Sequence, residues 1–119
     1  MKKQFLIHVG LIALVFVFFS CSVFAEDSPG KKIFIDSKCN VCHSIDSQGV
    51  AKKTTSNKPD GPPDLSNVGA LHKADWMTKY LNKEEARNDK KHIKAWTGKK
   101  EDLEILVKWL ETLKTEAKK

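Results

Sequence analysis

The residues best equipped for chemistry stand together as Cys39-Asn40-Val41-Cys42-His43. Two thiols spaced one turn apart can form thioethers with the two vinyl groups on one edge of a porphyrin. An imidazole directly after the second thiol is then delivered beneath the iron as its proximal ligand, so the C-x-x-C-H spacing points to covalent haem attachment. Other uses of these groups need contexts the chain lacks. A thioredoxin-like redox pair calls for a βαβ setting, and no strand-like alternation flanks the motif. A zinc site composed from Cys39, Cys42, His72 and His92 would draw on ligands scattered too widely for a finger.

The rest of the chain has to hold such a group. Its 119 residues suffice for one small domain. Lys2 and Lys3 precede a near-continuous apolar run over residues 5–19, which is followed by Val23-Phe24-Ala25. That is the layout of a secretory signal over residues 1–25 with cleavage after Ala25, leaving residues 26–119 as the domain in the periplasm or otherwise outside the cytoplasm. The apolar run is short against the about 20 residues of a spanning helix. Membrane contact would therefore arise only if this segment were retained or if Cys21 carried a lipid.

A domain this small buries too little surface to be stable without a staple. A disulfide between Cys39 and Cys42 would close only a tiny loop, so the staple is what the two cysteines hold. The chain carries 21 Lys+Arg against 15 Asp+Glu, but the excess is spread over lysines with Arg87 as the one arginine. Clustered arginines and interleaved aromatics are missing, which argues against nucleic acid and leaves attraction to acidic protein partners. Ser, His and acidic residues form no recognisable nucleophile constellation, so no enzyme is expected.

Helices and loops account for the patterning. Asp27 or Ser28 can cap a helix with Pro29 in its first turn, running through Ile33, Phe34 and Ile35 towards the cysteines. Residues 44–63 read as an exposed loop. A second helix is predicted over 73–85, with Ala74, Met77, Tyr80 and Leu81 on one face. The last helix starts near Glu101, where Leu103, Leu106, Val107, Leu110 and Leu113 recur at helical spacing behind an acidic first turn.

In this order of elements the chain resembles the small class I c-type cytochromes over essentially all of residues 26–119. Gly30 and Phe34 match the family's first helix, and Leu106, Trp109 and Leu110 match its C-terminal helix. Gly61-Pro62-Pro63-Asp64-Leu65 matches its Gly-Pro-x-x-Leu stretch. The resemblance implies an all-α cytochrome c fold, with N- and C-terminal helices packed across each other around one haem c attached through Cys39 and Cys42. It further implies that the Pro62 carbonyl accepts the Nδ1 proton of His43 and that Leu65 lies against the porphyrin. Most members place a methionine in the loop before the last helix as the second axial ligand. Here that loop, residues 88–96, has no methionine and a single histidine, so position points to His92.

Met77 is the chief rival, although its place in a helical stripe is that of a packing residue. His72, or water, is a further alternative. A second histidine in place of methionine lowers the haem potential. The implied role is a single-electron carrier between redox partners, with Lys38, Lys52, Lys53, Lys90, Lys91 or Lys94 steering an acidic docking surface. Alternative roles are a gas-binding or sensing haem protein with a displaceable sixth ligand, or a fixed haem subunit of a larger respiratory complex. Trp76 and Trp96 are expected in the haem-pocket wall or the core.

Overall fold

A computed structural model describes residues 26–55 and 61–115. The expected signal segment and Cys21 lie outside the described residues. Four α-helices follow one another among the described residues: α1 (Pro29–Asp36), α2 (Val68–Leu71), α3 (Ala74–Leu81) and α4 (Lys100–Thr112). Single 3-10 turns occupy Cys39–Val41 and Asp46–Gln48. Among the described residues there is no strand, only the isolated bridges Ile45–Val50 and Arg87–Lys90. The all-α reading therefore holds, and no helix among these residues is long and apolar enough to cross a membrane.

The start of α1 is set by Ser28, whose Oγ accepts the Lys31 amide at 3.3 Å. Asp27 instead pairs with the Lys31 ammonium at 2.9 Å. Phe34 and Gly30 are the buried positions of α1, and both face α4. A Cβ at residue 30 would fall inside the Trp109 side chain, so the missing side chain is what lets the two backbones approach. Phe34 and Trp109 then meet edge to face, with ring centroids 6.1 Å apart at 63°. Leu103, Leu106, Val107 and Leu110 are buried along α4, and Leu113 just past its end is buried with them, as the periodicity requires.

Three elements depart from expectation. The stretch over 44–63 is not an exposed loop throughout, because Ile45 and Val50 bridge to each other and are buried in the core. The helix predicted over 73–85 ends at Leu81, because Lys83 adopts a left-handed conformation (φ 61°). The Glu84 amide bonds the Lys79 carbonyl at 2.8 Å and the Lys83 amide bonds the Tyr80 carbonyl at 3.1 Å. This is the double closure of a Schellman end, here with lysine where glycine is usual. The single turn α2 was not expected; its Gly69 amide reaches the Leu113 carbonyl at 2.9 Å, and Asn67 Oδ1 accepts the Thr115 amide at 3.0 Å. These bonds seat α2 on the C-terminal end of α4.

Candidate haem site

Lys38, left-handed at φ 60°, stops α1 and turns the chain directly into the cysteines. The motif backbone is a tight turn in which the Cys42 and His43 amides both bond the Cys39 carbonyl, at 3.2 and 3.0 Å. The following loop is laced to it. The Lys53 amide bonds the Asn40 carbonyl at 2.9 Å, and the Thr54 amide bonds the Val41 carbonyl at 3.1 Å. The motif is therefore held from both sides, by α1 and by residues 50–54.

Cys39 is half-buried and Cys42 exposed, and neither is in a disulfide. Burial pushes the Cys39 thiol above its ordinary value, with the Lys94 charge pulling weakly the other way. A thiol-disulfide centre needs the opposite, a stabilised thiolate.

His43 donates its Nδ1 proton to a backbone carbonyl at 2.8 Å, and that carbonyl belongs to Pro63. This corrects the expectation of Pro62. Adjacent carbonyls of a proline pair point in different directions, and the choice between them is fixed one residue on, by Asp64. Its carboxylate accepts from Ser44 Oγ at 2.6 Å, the Asp46 amide at 3.0 Å and the Ser66 amide at 2.8 Å. The Leu65 amide bonds the Ser44 carbonyl at 2.9 Å, and Ser66 Oγ takes the Ser47 amide at 3.0 Å. The residue just before this clamp, Pro63, is thereby aimed at the imidazole. Burial alone would raise the Asp64 carboxyl, but the bonds from Ser44, Ser66 and Asp46 outweigh it and hold it below the usual carboxylate value.

Burial holds His43 below the ordinary imidazole value, against the opposing pull of the Pro63 carbonyl; the Lys52 charge also lowers it. The ring is thus neutral near pH 7. With its proton on Nδ1, the Nε2 lone pair is left available to a metal.

The loop 88–96 brings the second histidine opposite the first. Asn88 and Asp89 are both left-handed (φ 51° and 60°), and the Arg87–Lys90 pair closes a two-residue turn at the start of the loop. At its end the Trp96 amide bonds the Leu81 carbonyl at 2.9 Å, and the Trp96 indole N–H bonds the Lys99 carbonyl at 3.1 Å. The loop is thus tied to both α3 and α4. His92 Nδ1 donates to the Lys94 carbonyl at 2.6 Å, so it too keeps Nε2 free.

The His43 and His92 rings lie 14° from parallel with centroids 6.1 Å apart. That gap is far wider than the 3.8 Å between the stacked rings of His72 and Trp76. Two metal–nitrogen bonds of about 2 Å each plus the inner halves of two five-membered rings come to roughly 6 Å. The centroid separation is thus the size that one iron bound to both Nε2 atoms would require.

The other nominated residues sit elsewhere. Met77 is 4% exposed within the apolar cluster of Phe34, Leu103, Leu106 and Val107. His72 is stacked on Trp76, and Trp76, Trp96 and Leu65 are half-buried against the same cluster. Sequence reasoning passed over Pro63, Asp64 and the Tyr80 ring beside His92. Only Asp64 carried a signal, an Asp two residues before a serine amide, which is the Asx-turn pattern.

A comparison with protein-family models matches the one described as Cytochrome c over residues 28–114. No curated protein and no solved structure matched the chain. The family binds haem c covalently through its cysteines, here Cys39 and Cys42 beside His43, and its members are typically electron carriers rather than enzymes. With that match spanning α1 to α4 and the C-x-x-C-H turn at its centre, the chain belongs to the cytochrome c family.

Proposed function

We propose that this protein is an exported, single-haem carrier that passes one electron at a time between partner proteins, with iron held between His43 and His92. The observation that carries this reading is the facing pair of imidazoles, each with Nδ1 committed to a carbonyl and Nε2 left for the metal. When bound, the haem supplies a one-electron ferric–ferrous couple. The chain's own contribution is to attach it through Cys39 and Cys42, to present two imidazoles through Nε2, and to keep both rings from moving as the charge changes. Two histidines binding the iron would leave no place for a substrate or a gas. The second histidine also sets a lower potential than a methionine would in the same pocket.

Export is supported by the basic start and apolar run of residues 1–25, and covalent haem attachment in bacteria is completed outside the cytoplasm. An acidic partner is supported by charge. Lys94 lies near enough to Cys39, and Lys52 to His43, for their fields to act on those groups. Lys38, Lys90, Lys91 and Lys94 are exposed around the same site.

Optical spectra of the mature protein test the ligand set. The ferrous wild type is expected to take up carbon monoxide slowly or not at all. His92→Ala should turn the iron high-spin and bind carbon monoxide readily, whereas Met77→Leu should leave the spectrum unchanged. A low-spin, six-coordinate spectrum that survives His92→Ala would overturn the assignment.

A further inference from the structure

The described residues contain one run of touching rings, and it ends on His92. Trp76 and Tyr80 stand four residues apart on one side of α3, and His72, in extended backbone just ahead of that helix, continues the row. His72 stacks on Trp76 (3.8 Å, 15°), Trp76 stacks on Tyr80 (4.8 Å, 15°), and Tyr80 meets His92 edge to face (5.3 Å, 73°). Resting on the reading of His92 as the sixth ligand, we propose that Tyr80 is a positioning residue: its ring, braced by Trp76 and His72, fixes the plane of the His92 imidazole parallel to that of His43.

The hydrogen bond of His92 does not suffice for this. Its acceptor, the Lys94 carbonyl, lies two residues on in the same loop, so ring and acceptor turn together when the loop shifts. The orientation relative to His43 has to come from a wall outside the loop, and Tyr80 on α3 supplies one. The loop is held against that wall by the bond from the Trp96 amide to the Leu81 carbonyl. On the other side, His43 takes its orientation from the Pro63 carbonyl and, through it, from the Asp64 clamp. Two independent frameworks thus produce the 14° angle between the rings. A ligand held by outer groups in this way loses rotational freedom and keeps one geometry in both oxidation states.

The relative ring angle has its own spectroscopic signature. Two imidazoles with parallel planes act on the same iron dπ orbital, separate the dπ pair in energy, and give a rhombic low-spin ferric signal in electron paramagnetic resonance. Planes turned across each other leave the pair nearly degenerate and give a single feature at large g.

The test uses the full chain matured with haem and compares ferric spectra of the wild type, Tyr80→Phe, Tyr80→Leu and His92→Ala. The wild type and Tyr80→Phe, which keeps the ring, should both be rhombic. Tyr80→Leu should shift to the large-g form while its optical spectrum stays six-coordinate and low-spin. An unchanged rhombic signal in Tyr80→Leu overturns the positioning role. A large-g signal in the wild type overturns it as well, and that measurement needs no variant to fold. A six-coordinate low-spin His92→Ala overturns the ligand reading beneath; loss of six-coordination there, with Tyr80→Leu unchanged, removes only the role of Tyr80.

Discussion

Replacing Asp64 by alanine tests whether the clamp beside His43 does what its geometry implies. The carboxylate accepts three hydrogen bonds, from Ser44 Oγ at 2.6 Å, the Ser66 amide at 2.8 Å and the Asp46 amide at 3.0 Å. A bond to a charged group contributes about 1.5–3 kcal/mol when it is well buried. Asp64 is exposed, so water takes over much of that role in the variant, and the three together are expected to contribute about 2 kcal/mol. For a domain of this size that corresponds to a fall in Tm of roughly 8–16 °C. The pH dependence has a definite sign. The folded carboxyl is held below its ordinary value, so its stabilisation is complete above the unfolded value of about 3.9 and is lost as pH falls through the lower folded one. The gap between wild type and Asp64→Ala should therefore be full at neutral pH and close in acid. The same loss frees the Pro63 carbonyl, weakens the polarisation of His43 and raises the reduction potential, as read by a spectroelectrochemical titration. Thermal unfolding of the matured protein at a series of pH values measures the first effect. Equal midpoints at neutral pH, or a gap that persists at the acid end, would refute the reasoning.

Gly30→Ala should destabilise the protein by about 1–3 kcal/mol, since the new Cβ collides with the Trp109 Cβ, which cannot rotate away. The opposing gain in helix propensity is only about 0.5–1 kcal/mol; urea midpoints for Gly30→Ala alone and combined with Trp109→Leu check the source, because the pair should couple rather than add. Met77→Ala empties a position that is 4% exposed and is expected to cost about 2–5 kcal/mol. Its ferric spectrum should nevertheless match the wild type, and a shift to high-spin iron would mean that the thioether does more than pack.

How much of this was legible in the sequence depended on how local the cause was. The C-x-x-C-H turn and the stripe of Leu103, Leu106, Val107 and Leu110 are written in consecutive residues, and both were read correctly. The early end of α3 was not, because it is made by Lys83 in a left-handed conformation, and a lysine gives no hint of one. α2 has four residues, fewer than a period needs to show. The choice of Pro63 over Pro62 depends on Asp64 finding Ser44 and Asp46, partners 20 and 18 residues away. No local pattern encodes that register. The facing of His43 and His92 was inferred from a missing methionine and a family's habit, and its geometry rests on Tyr80 and Trp96, contacts no spacing rule reveals.

The two imidazoles hang from different supports, and this explains why α4, the longest helix among the described residues, lies where it does. His43 follows α1 through Lys38 and takes its direction from the Asp64 clamp, while His92 is tied by Trp96 to the end of α3 and to Lys99 at the start of α4. α1, α2 and α3 all pack against α4. Among the described residues α4 is therefore the helix on which both sides rest, and on the proposed ligand set the spacing of the rings would follow how closely α1 and α3 approach it. Gly30 against Trp109 fixes the first approach, and the buried contact of Met77 with the Leu103–Val107 side fixes the second. Damage to the Gly30–Trp109 seam should thus reach the proposed iron site through the spacing of His43 and His92, even though Trp109 is not one of the proposed ligands. On the proposed ligand set, the helix crossing has a functional meaning beyond stability: it would be the gauge that keeps His43 and His92 one iron apart.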